Sequence, residues 1–463
     1  MNKLVSPALL DHNVIDLCVE RRARLAKEIR AISGTGVFIL ATAAEKLRNR
    51  DSEFPYRHDS DFFYLTGFEE PDATLVMVIE KNTFSTHLFC RPKDAEREIW
   101  DGIRLGPQEA TTALKVDKAY SNLEIDQQIP LFLANQTAIY IRLASDAQTD
   151  RQIRHWVSQV RQQARSGISS PDLFHDAEKL IHEMRLFKSA EEIQTMRAAA
   201  LISANAHIRA MRVCKPGMRE YQLEAELLHE FRWHGSQSVA YNSIVAAGAN
   251  ACILHYRAGS AELKAGDLCL IDAGCELNGY ASDITRTFPV LGRFNPAQKA
   301  LYAITVAAQE AAIKATKPGN HFMAPHEAAI QILTQGLIDE KLISLSAVGS
   351  LDNAIETAAY KRFYMHRTSH WLGMDVHDVG SYRTAGNSVD SHTTEKPWRK
   401  LEKNMVITIE PGLYIRPAED IPEHFWNIGI RIEDDAVLTD NGCELISRHV
   451  PVDPDAIEAL MNS

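Results

Sequence analysis

The spacing of apolar residues predicts helices and strands in alternation over the first third of the chain. Apolar positions recur at helical spacing over residues 14–32, and a short apolar run at 37–41 is typical of a buried strand. Further strands are predicted at 74–80, 86–90 and 138–143, and further helices at 107–116 and 149–165. This mixture of elements predicts an α/β domain over residues 1–175.

Helix-start signals dominate the rest of the chain, after a short polar segment. Ser189 and Glu192 have the Ser-x-x-Glu spacing of a capping box. Asn295 and Pro296 match the residue preferences of the N-cap and of the first helical position. We therefore expect a second domain, residues 176–463, with long helices that begin at these two places.

This second domain carries an internal repeat. One predicted helix ends at the Lys-Pro-Gly of 215–217 and is followed by another helix, and the same order returns at 317–319. Each helix pair precedes predicted strands, at 268–290 in the first half and at 405–415 and 428–438 in the second. Two such halves would pack about a pseudo-twofold axis with strands in the middle and helices outside. The repeat thus predicts a site between the halves.

Residues 268–290 are predicted to form a hairpin that carries two aspartates. The Asn-Gly dipeptide at 278–279 suits a two-residue turn in which both central positions have positive φ. That turn places Asp272 opposite Thr285 and Asp283 two residues along the same strand, so both aspartates share one side of the sheet. Aspartate is disfavoured in strands, and a buried carboxylate needs a partner. The hairpin alone leaves two interpretations open: a metal site, or a hydrogen-bonded structural pair.

Composition narrows the classes of function. The chain has 463 residues, of which 45% are hydrophobic and 24% charged, as in ordinary folded proteins. Its formal net charge of -11, without a basic tail, argues against nucleic acid as a partner. We see no signal peptide and no run near the roughly 18 apolar residues of a spanning helix, so we expect no membrane partner and a cytoplasmic location. Seven scattered cysteines without CxxC spacing favour reduced thiols.

The second domain also concentrates side chains that bind metals or move protons. Three histidines fall within twelve residues beside a glycine-containing turn, a fourth precedes the hairpin, and the later strands carry two glutamates and an arginine. These residues are His366, His370, His377, His255, Glu410, Glu433 and Arg431. A lone histidine is more often structural, whereas this grouping favours a chemical role.

Several short segments combine into a pattern that we recognise. In the second domain they are residues 270–274, 283–287, 369–373, 375–380, 409–412 and 431–434, and in the first domain residues 55–57 and 60–68. Together they resemble aminopeptidase P, the Xaa-Pro aminopeptidase family. The resemblance implies a creatinase-like N-terminal α/β domain and a C-terminal α+β "pita-bread" domain with internal pseudo-twofold duplication. It also implies hydrolysis of the bond between an N-terminal residue and a following proline.

By this resemblance, five side chains hold two divalent metal ions, with Mn²⁺ as the expected metal. They are Asp272, Asp283, His370, Glu410 and Glu433. Four buried carboxylates call for the charge of two divalent cations, because one ion would leave excess negative charge inside a closed site. Oxygen ligands with a single imidazole favour a hard ion such as manganese, while cobalt and zinc remain open.

The resemblance further implies roles for residues near the ions. Glu410 is expected to act as general base, taking a proton from the attacking water and returning it to the proline nitrogen. Three histidines are expected to line the substrate, where they stabilise an oxyanion or orient the peptide, namely His255, His366 and His377. Arg431 and Tyr414 are expected to hydrogen-bond the ligand carboxylates, and structural packing is the alternative for Tyr414.

Trp100 matches a family tryptophan that shapes the site, in some members from a neighbouring subunit. We therefore expect a homo-oligomer, a dimer or a tetramer, and a buried structural tryptophan is the alternative. The polar segment 382–401 is predicted to be an unstructured loop with His392 in solvent. A family arginine cannot be placed on either Arg383 or Arg399 within it.

Two other functions stay open. Prolidase shares the ligands and would cleave Xaa-Pro only as a free dipeptide, although the Ser-His-Trp-Leu-Gly sequence of 369–373 favours the aminopeptidase. Some pita-bread proteins are non-catalytic binding modules, which the intact ligand set disfavours. The expected substrates are peptides with proline in second position.

Overall fold

The computed structural model describes residues 12–144, 147–384 and 396–463. The chain divides into two compact units, one ending at Met184 and the other beginning at Arg185. This division lies after the boundary predicted at residue 175, because Leu173–Asp176 is a strand of the first unit's sheet.

The first unit is built on a six-stranded mixed sheet. Its strands are β1 (Gly36–Ala41), β2 (Thr74–Ile79), β3 (Phe84–Cys90), β4 (Lys118–Ser121), β5 (Ala138–Ile141) and β6 (Leu173–Asp176). Their spatial order is β4-β3-β2-β1-β5-β6, in which β2 pairs antiparallel with β1 and with β3 and the other pairs are parallel. The α/β organisation predicted for this region is confirmed.

Helices accompany this sheet, and two of them lack a clear sequence signal. The helices are α1 (His12–Ser33), α2 (Ser60–Thr66), α3 (Glu98–Asp101), α4 (Gly106–Ala113), α5 (Ile125–Leu133), α6 (Ala147–Arg161) and α7 (Glu178–Leu186), the last of which carries the chain into the second unit. Every residue of α2 is buried, so no polar face marks it as a helix. Helix α5 contains Pro130 in its interior, which argues against a helix on sequence grounds.

The second unit contains the long helices that the start signals predict. The Ser189 Oγ accepts a hydrogen bond from the Glu192 N–H (3.3 Å) and the Glu192 carboxylate accepts one from the Ser189 N–H (2.8 Å), which closes the capping box. The Asn295 side chain likewise caps a helix that has Pro296 in its first turn. The helices are α8 (Ala190–Val213), α9 (Glu220–Trp233), α10 (Pro296–Ala315), α11 (Ala324–Asp339), α12 (Leu345–Val348), α13 (Leu351–Glu356) and α14 (Pro454–Met461).

Short strands lie between and after these helices. They are β7 (Ser238–Val239), β8 (Ile244–Ala247), β9 (Leu268–Asp272), β10 (Cys275–Leu277), β11 (Tyr280–Ala281), β12 (Thr285–Pro289), β13 (Val406–Ile409), β14 (Gly412–Ile415), β15 (Ile428–Arg431), β16 (Asp434–Leu438) and β17 (Cys443–Leu445). They form sheets in the orders β11-β10-β7, β12-β9-β8, β13-β16-β17 and β14-β15. The predicted continuous strands 405–415 and 428–438 are therefore each broken in two.

The internal repeat is visible in the order and pairing of these elements. In the first half the pair α8–α9 precedes strands in which β9 pairs with β12 and β10 with β11. In the second half α10–α11 precede strands in which β13 pairs with β16 and β14 with β15. One large apolar cluster, with Leu227, Ile271, Leu333 and Ile407 among its buried members, draws on helices and strands of both halves. The strands of the two halves thus share a single core.

Two further expectations concern thiols and membranes. All seven cysteines are free, and six of them are buried. In the part of the chain that the structure describes, no helix combines the length and apolar character needed to cross a membrane.

Candidate metal centre and active site

The aspartate hairpin has the predicted register. Asp272 lies opposite Thr285, and the turn residues Asn278 and Gly279 both have positive φ, of 49° and 77°. The Tyr241 hydroxyl lies 2.5 Å from an oxygen of Asp272 and 2.5 Å from an oxygen of Asp283. The two carboxylates therefore converge on one side of the hairpin, as the spacing predicts.

The hairpin is interrupted where the aspartates stand. Strand β9 ends at Asp272, and Gly274 follows at a point where a Cβ atom would lie 1.7 Å from the Ser282 carbonyl oxygen. Only glycine allows the two strands to approach this closely. Asp283 occupies the corresponding gap between β11 and β12. The interruption releases both carboxylates from the regular strand geometry and turns them to one side.

The second half repeats this arrangement. Glu410 follows β13 and is succeeded by Pro411 and Gly412, just as Asp272 is succeeded by an alanine and Gly274. Glu433 lies in the gap between β15 and β16. Each half thus contributes two carboxylates from two broken strands.

Hydrogen bonds join the broken strands of the two halves. The Glu433 N–H donates to the Thr285 carbonyl (3.0 Å), and the Thr285 hydroxyl donates to the Glu433 carboxylate (2.7 Å). Asp435, two residues further on, accepts from the Asp283 N–H at 3.2 Å. The four carboxylates are consequently held at the junction of the halves, where the repeat predicts a site.

A cavity of about 640 Å³ opens at this junction. Nine of the predicted site residues line it: His255, Asp272, Asp283, His366, His370, His377, Glu410, Arg431 and Glu433. The ligand atoms of Asp283, His370 and Glu433 lie within 4.8 Å of one another. The Nε2 atom of His370 is 3.4 Å from Asp283 and 3.7 Å from Glu410. The five predicted ligands are thereby brought together.

The hydrogen-bond partner of His370 defines which of its nitrogens faces the carboxylates. Its Nδ1 lies 2.9 Å from the Trp371 carbonyl oxygen, which can only accept, so Nδ1 carries the proton. The Nε2 atom then faces the acidic cluster. Against the effect of burial, the carboxylates of Asp283 and Glu410 raise the pKa of His370 to about 9, so a cation would have to displace a proton from Nε2. A backbone carbonyl that fixes the tautomer in this way is a common support for a metal-binding histidine.

The acidic cluster has more negative charge than its neighbouring Arg431 and His370 compensate. Burial, followed by repulsion from the other carboxylates, raises the pKa of Glu433 well above its usual value. Burial likewise raises the pKa of Glu410 to about 7, despite the opposing charges of His370 and Arg431. The single proton of the Tyr241 hydroxyl cannot serve both aspartates at once. This donor set fits divalent cations, because they would supply the missing positive charge and the missing partners.

Arg431 and Tyr414 lie behind the ligands and differ in what they contact. The Arg431 guanidinium donates to Asp272 at 2.6 Å, as predicted, and also to the Tyr414 hydroxyl at 2.9 Å. Among the described residues, Tyr414 makes no hydrogen bond to a carboxylate, contrary to the prediction. Its hydroxyl lies 2.8 Å from the Nε2 of His366, whose Nδ1 faces the Arg367 carbonyl. Tyr414 therefore links Arg431 to His366 and does not line the cavity.

Two histidines on the cavity wall, His366 and His377, favour the neutral form. Burial, assisted by the Arg431 charge, lowers the pKa of His366 to about 3. Burial also lowers the pKa of His377, whose ring packs edge-on against His370 at 4.2 Å between centroids. His255 and His377 are both exposed into the cavity. These two histidines are therefore the ones most accessible to a peptide that enters the cavity.

A buried ion network fixes the loop that carries His377. The Asp378 carboxylate accepts from Lys188 at 2.9 Å and from Arg185 at 2.6 Å, and Lys188 and Asp378 have only 1% of their side chains exposed. A Cβ at Gly373 would lie 2.1 Å from that carboxylate. Sequence reasoning includes Asp378 only within a resembling segment and misses Lys188, because charge pairs distant in sequence leave no local pattern.

Trp100 and the segment 382–401 complete the set of predicted residues, and Tyr382 at the start of that segment lines the cavity. Trp100 belongs to the first unit and is 81% exposed, so the alternative of a buried structural tryptophan is wrong. The ends of the loop are ordered, because Arg383 pairs with Trp398 and the Thr384 N–H donates to the Pro397 carbonyl. His392 lies outside the described residues.

Comparisons with known proteins agree with this geometry. The family model of metallopeptidase family M24 matches residues 194–440, and that of the aminopeptidase P N-terminal domain matches residues 18–140. Xaa-Pro aminopeptidase of Escherichia coli is 42% identical over 95% of this chain and 96% of its own length. The structure of Pseudomonas aeruginosa aminopeptidase PepP superposes with a TM-score of 0.90 at 46% identity, covering 96% of this chain and 98% of that one. Zinc-substituted E. coli aminopeptidase P, solved with product, superposes with a TM-score of 0.90 at 41% identity, covering 97% and 98%.

The fold, the acidic cavity and the family match identify the chain as a metallopeptidase of family M24. Enzymes of this family use divalent metal ions. Within that class, the identity and coverage place the chain in the aminopeptidase P family. The creatinase-like N-terminal domain and the duplicated pita-bread domain are thereby confirmed.

Proposed function

We propose that this chain removes the N-terminal residue from peptides whose second residue is proline, and that the reaction takes place in the cavity between the halves of the second unit. The observation that carries the proposal is the convergence of four carboxylates and His370 on one buried point. Both halves must be folded for this point to exist. A purely structural role would not require so many uncompensated acidic groups.

We propose as metal ligands Asp272, Asp283, His370, Glu410 and Glu433, which together would hold two divalent ions. When bound, such ions would polarise the scissile carbonyl and lower the pKa of an attacking water, so that a nucleophile exists near neutral pH. Mn²⁺ is our preferred metal, because the donors are oxygens with one imidazole. Zinc remains an outcome of the metal test below.

Glu410 is the proposed general base. Its pKa of about 7 in the absence of cations reflects burial, and its carboxylate lies 3.7 Å from both His366 and His370. It is therefore placed to take a proton from water and to return it to the departing proline nitrogen, which carries no N–H of its own before cleavage.

The remaining residues orient the peptide. We propose that His255 and His377, exposed on the cavity wall, donate an N–H to the substrate carbonyl as negative charge develops there. His366 receives the Tyr414 hydroxyl and is thereby held neutral and in one orientation beside Glu410. Arg431 holds Asp272 in place and opposes the rise in its pKa that burial causes.

Trp100 supports a further proposal, that the protein is a homo-oligomer in which one subunit presents this residue to another. Trp100 is exposed together with Ile99 (80%) and Ile103 (68%) on the first unit. Clustered exposed apolar side chains of this kind mark interaction surfaces. We also retain a cytoplasmic location as a proposal, supported by the free cysteines.

The decisive experiment compares Arg-Pro-Pro with the dipeptide Arg-Pro. We expect release of arginine from the tripeptide at a much higher kcat/KM. Cleavage of the dipeptide alone would make the chain a prolidase instead. Treatment with a chelator should abolish activity, and titration with Mn²⁺, Co²⁺ and Zn²⁺ in parallel should identify the most effective ion. Full activity after chelation would overturn the metal mechanism.

A further inference from the structure

Two arginines at the opening of the cavity have no acidic partner. Arg257 and Arg367 both line the cavity and both are exposed. Within the described residues, neither guanidinium makes a hydrogen bond or an ion pair. By contrast, Arg431, the other arginine on the cavity wall, donates to Asp272 and to Tyr414.

What distinguishes Arg257 and Arg367 is their position on the cavity wall. Among other exposed arginines of the second unit, Arg197 pairs with Glu444 and Arg362 with Asp420. Arg293 makes no hydrogen bond or ion pair within the described residues, but it does not line the cavity. The acidic groups of the cavity itself are the proposed metal ligands, which lie at its buried end. Positive charge therefore faces the solvent side of a cavity in a chain whose formal net charge is -11.

One of the two arginines is braced by an aromatic ring. The Arg367 guanidinium lies 5.4 Å from the centroid of the Trp398 ring, where the cation is attracted to the ring face. The Arg383 guanidinium lies 3.4 Å from the same centroid. Arg367 thus keeps its hydrogen-bonding groups unused while the ring restricts its position.

The direction of the bound peptide follows from the proposed function, on which this inference rests. An aminopeptidase that removes one residue leaves only that residue on the amino side of the scissile bond. The reacting bond lies at the buried acidic cluster, so any chain that extends from there toward the solvent must be the leaving peptide. Arg257 and Arg367 consequently face residues that follow the proline.

We propose that Arg257 and Arg367 form a subsite for a carboxylate on the leaving part of the substrate, and that they favour acidic peptides. The carboxylate comes either from the C-terminus of a short peptide or from an aspartate or glutamate side chain after the proline. A guanidinium matches either source, because its planar donors bind carboxylates in pairs. Both groups are solvated, so we expect a preference of about threefold to tenfold in kcat/KM that weakens as salt is added.

The test uses three tetrapeptides that differ only in charge: Ala-Pro-Gln-Ala amide, Ala-Pro-Glu-Ala amide and Ala-Pro-Gln-Ala with a free C-terminus. The amide with glutamine is the neutral reference. A preference for the glutamate peptide identifies a side-chain carboxylate as the ligand, and a preference for the free acid identifies the C-terminus. Each ratio is measured at low salt and at high salt on the metal-loaded full-length protein.

The variants are the double substitution Arg257→Met with Arg367→Met, and Arg293→Met as a matched control. Arg293 is an exposed arginine of the same unit that does not line the cavity. In the double variant the charged-to-neutral ratio should fall to about one, whereas the control should keep the wild-type ratio. Competitive inhibition by Pro-Glu-Ala amide and Pro-Gln-Ala amide gives a second readout, since it reports binding without turnover.

Two results would overturn the subsite: equal kcat/KM for charged and neutral peptides in the wild type, or a preference that survives in the double variant. Failure of the proposed function is separate, because it would appear as no cleavage of the neutral reference peptide. Retained inhibition by the acidic product at wild-type strength in the double variant would also count against the subsite.

Discussion

The two halves of the catalytic unit share the same interrupted strand but differ in the connection that leads to the next strand. In each half a strand ends at a carboxylate, and a glycine follows two positions later, at Gly274 after Asp272 and at Gly412 after Glu410. The first half returns through a two-residue turn. The second half returns through residues 416–427, which include the 3₁₀ turn Glu423–Phe425.

The two halves also differ in how far their carboxylates extend from the backbone. The first half carries aspartates, whose short side chains keep their carboxylates near a tightly closed hairpin and against Tyr241. The second half carries glutamates, which have one more methylene group, and Glu410 lies near both His366 and His370. Under the proposed roles, both halves of the duplicated scaffold supply metal ligands, while Glu410 of the second half alone carries the proton transfer.

The largest expected effect is on turnover, and its cause should differ between Glu410→Gln and Asp283→Asn. We expect Glu410→Gln to lower kcat by roughly 10²–10⁴-fold with an unchanged fold, because proton transfer is lost while the shape is kept. Asp283 lies within 4.8 Å of His370 and Glu433, so Asp283→Asn should mainly lower the amount of bound metal.

Circular dichroism, metal analysis and turnover are measured on both variants. Excess Mn²⁺ should restore part of the turnover of Asp283→Asn and none of that of Glu410→Gln. If metal restored both variants equally, the division of roles between the halves would be wrong.

The next effect concerns the closure of the hairpin. Gly274→Ala places a methyl group 1.7 Å from the Ser282 carbonyl oxygen, so the strands must separate, and we expect a loss of about 3 kcal/mol or more in the free energy of unfolding. At Gly412 the nearest atoms would lie 2.8 Å away, so Gly412→Ala should cost about 1–3 kcal/mol.

Denaturant unfolding measures both values. Gly442→Ala is the control, because no atom lies within 4 Å of a Cβ there, and its effect should stay within about 0.5 kcal/mol. A larger loss for Gly412→Ala than for Gly274→Ala would show that the first hairpin is not the more tightly closed one.

The smallest effect is the dependence of stability on pH without metal. Burial raises the pKa of Glu410 from 4.5 to about 7, so the folded state binds more protons than the unfolded state between these values. The stability that this group contributes is therefore present below pH 4.5 and is lost as the pH rises through 7. The raised pKa of Glu433 acts in the same direction.

We expect the unfolding midpoint of the chelator-treated protein to decrease as the pH is raised from about 6.5 to 8. Below that range, histidines whose pKa values burial lowers act in the opposite direction. Saturating Mn²⁺ should reduce this fall, since cations stabilise the ionised carboxylates. Glu410→Gln should reduce it as well. A midpoint that rose between about pH 6.5 and 8 in the metal-free protein would contradict a cluster of buried acids that holds more negative charge than its neighbours compensate.

The sequence predicts elements well where local chemistry decides them. The capping residues at 189 and 295 and the Asn-Gly turn at 278–279 are confirmed, because each depends on backbone groups within three or four positions. Helices α2 and α5 escape prediction, since burial of every residue in α2 and the proline in α5 remove the usual local signals.

The candidate site also shows that sequence predicts local geometry but not contacts between distant residues. By itself the sequence determined the register that places Asp272 and Asp283 on one side of a hairpin, because strand periodicity and turn type set it locally. Only the tertiary structure decided that Tyr241 lies between these aspartates and that the Thr285 hydroxyl binds Glu433 from the other half. Such contacts join residues far apart in the chain, and they are determined by how the two halves pack rather than by any spacing along the sequence.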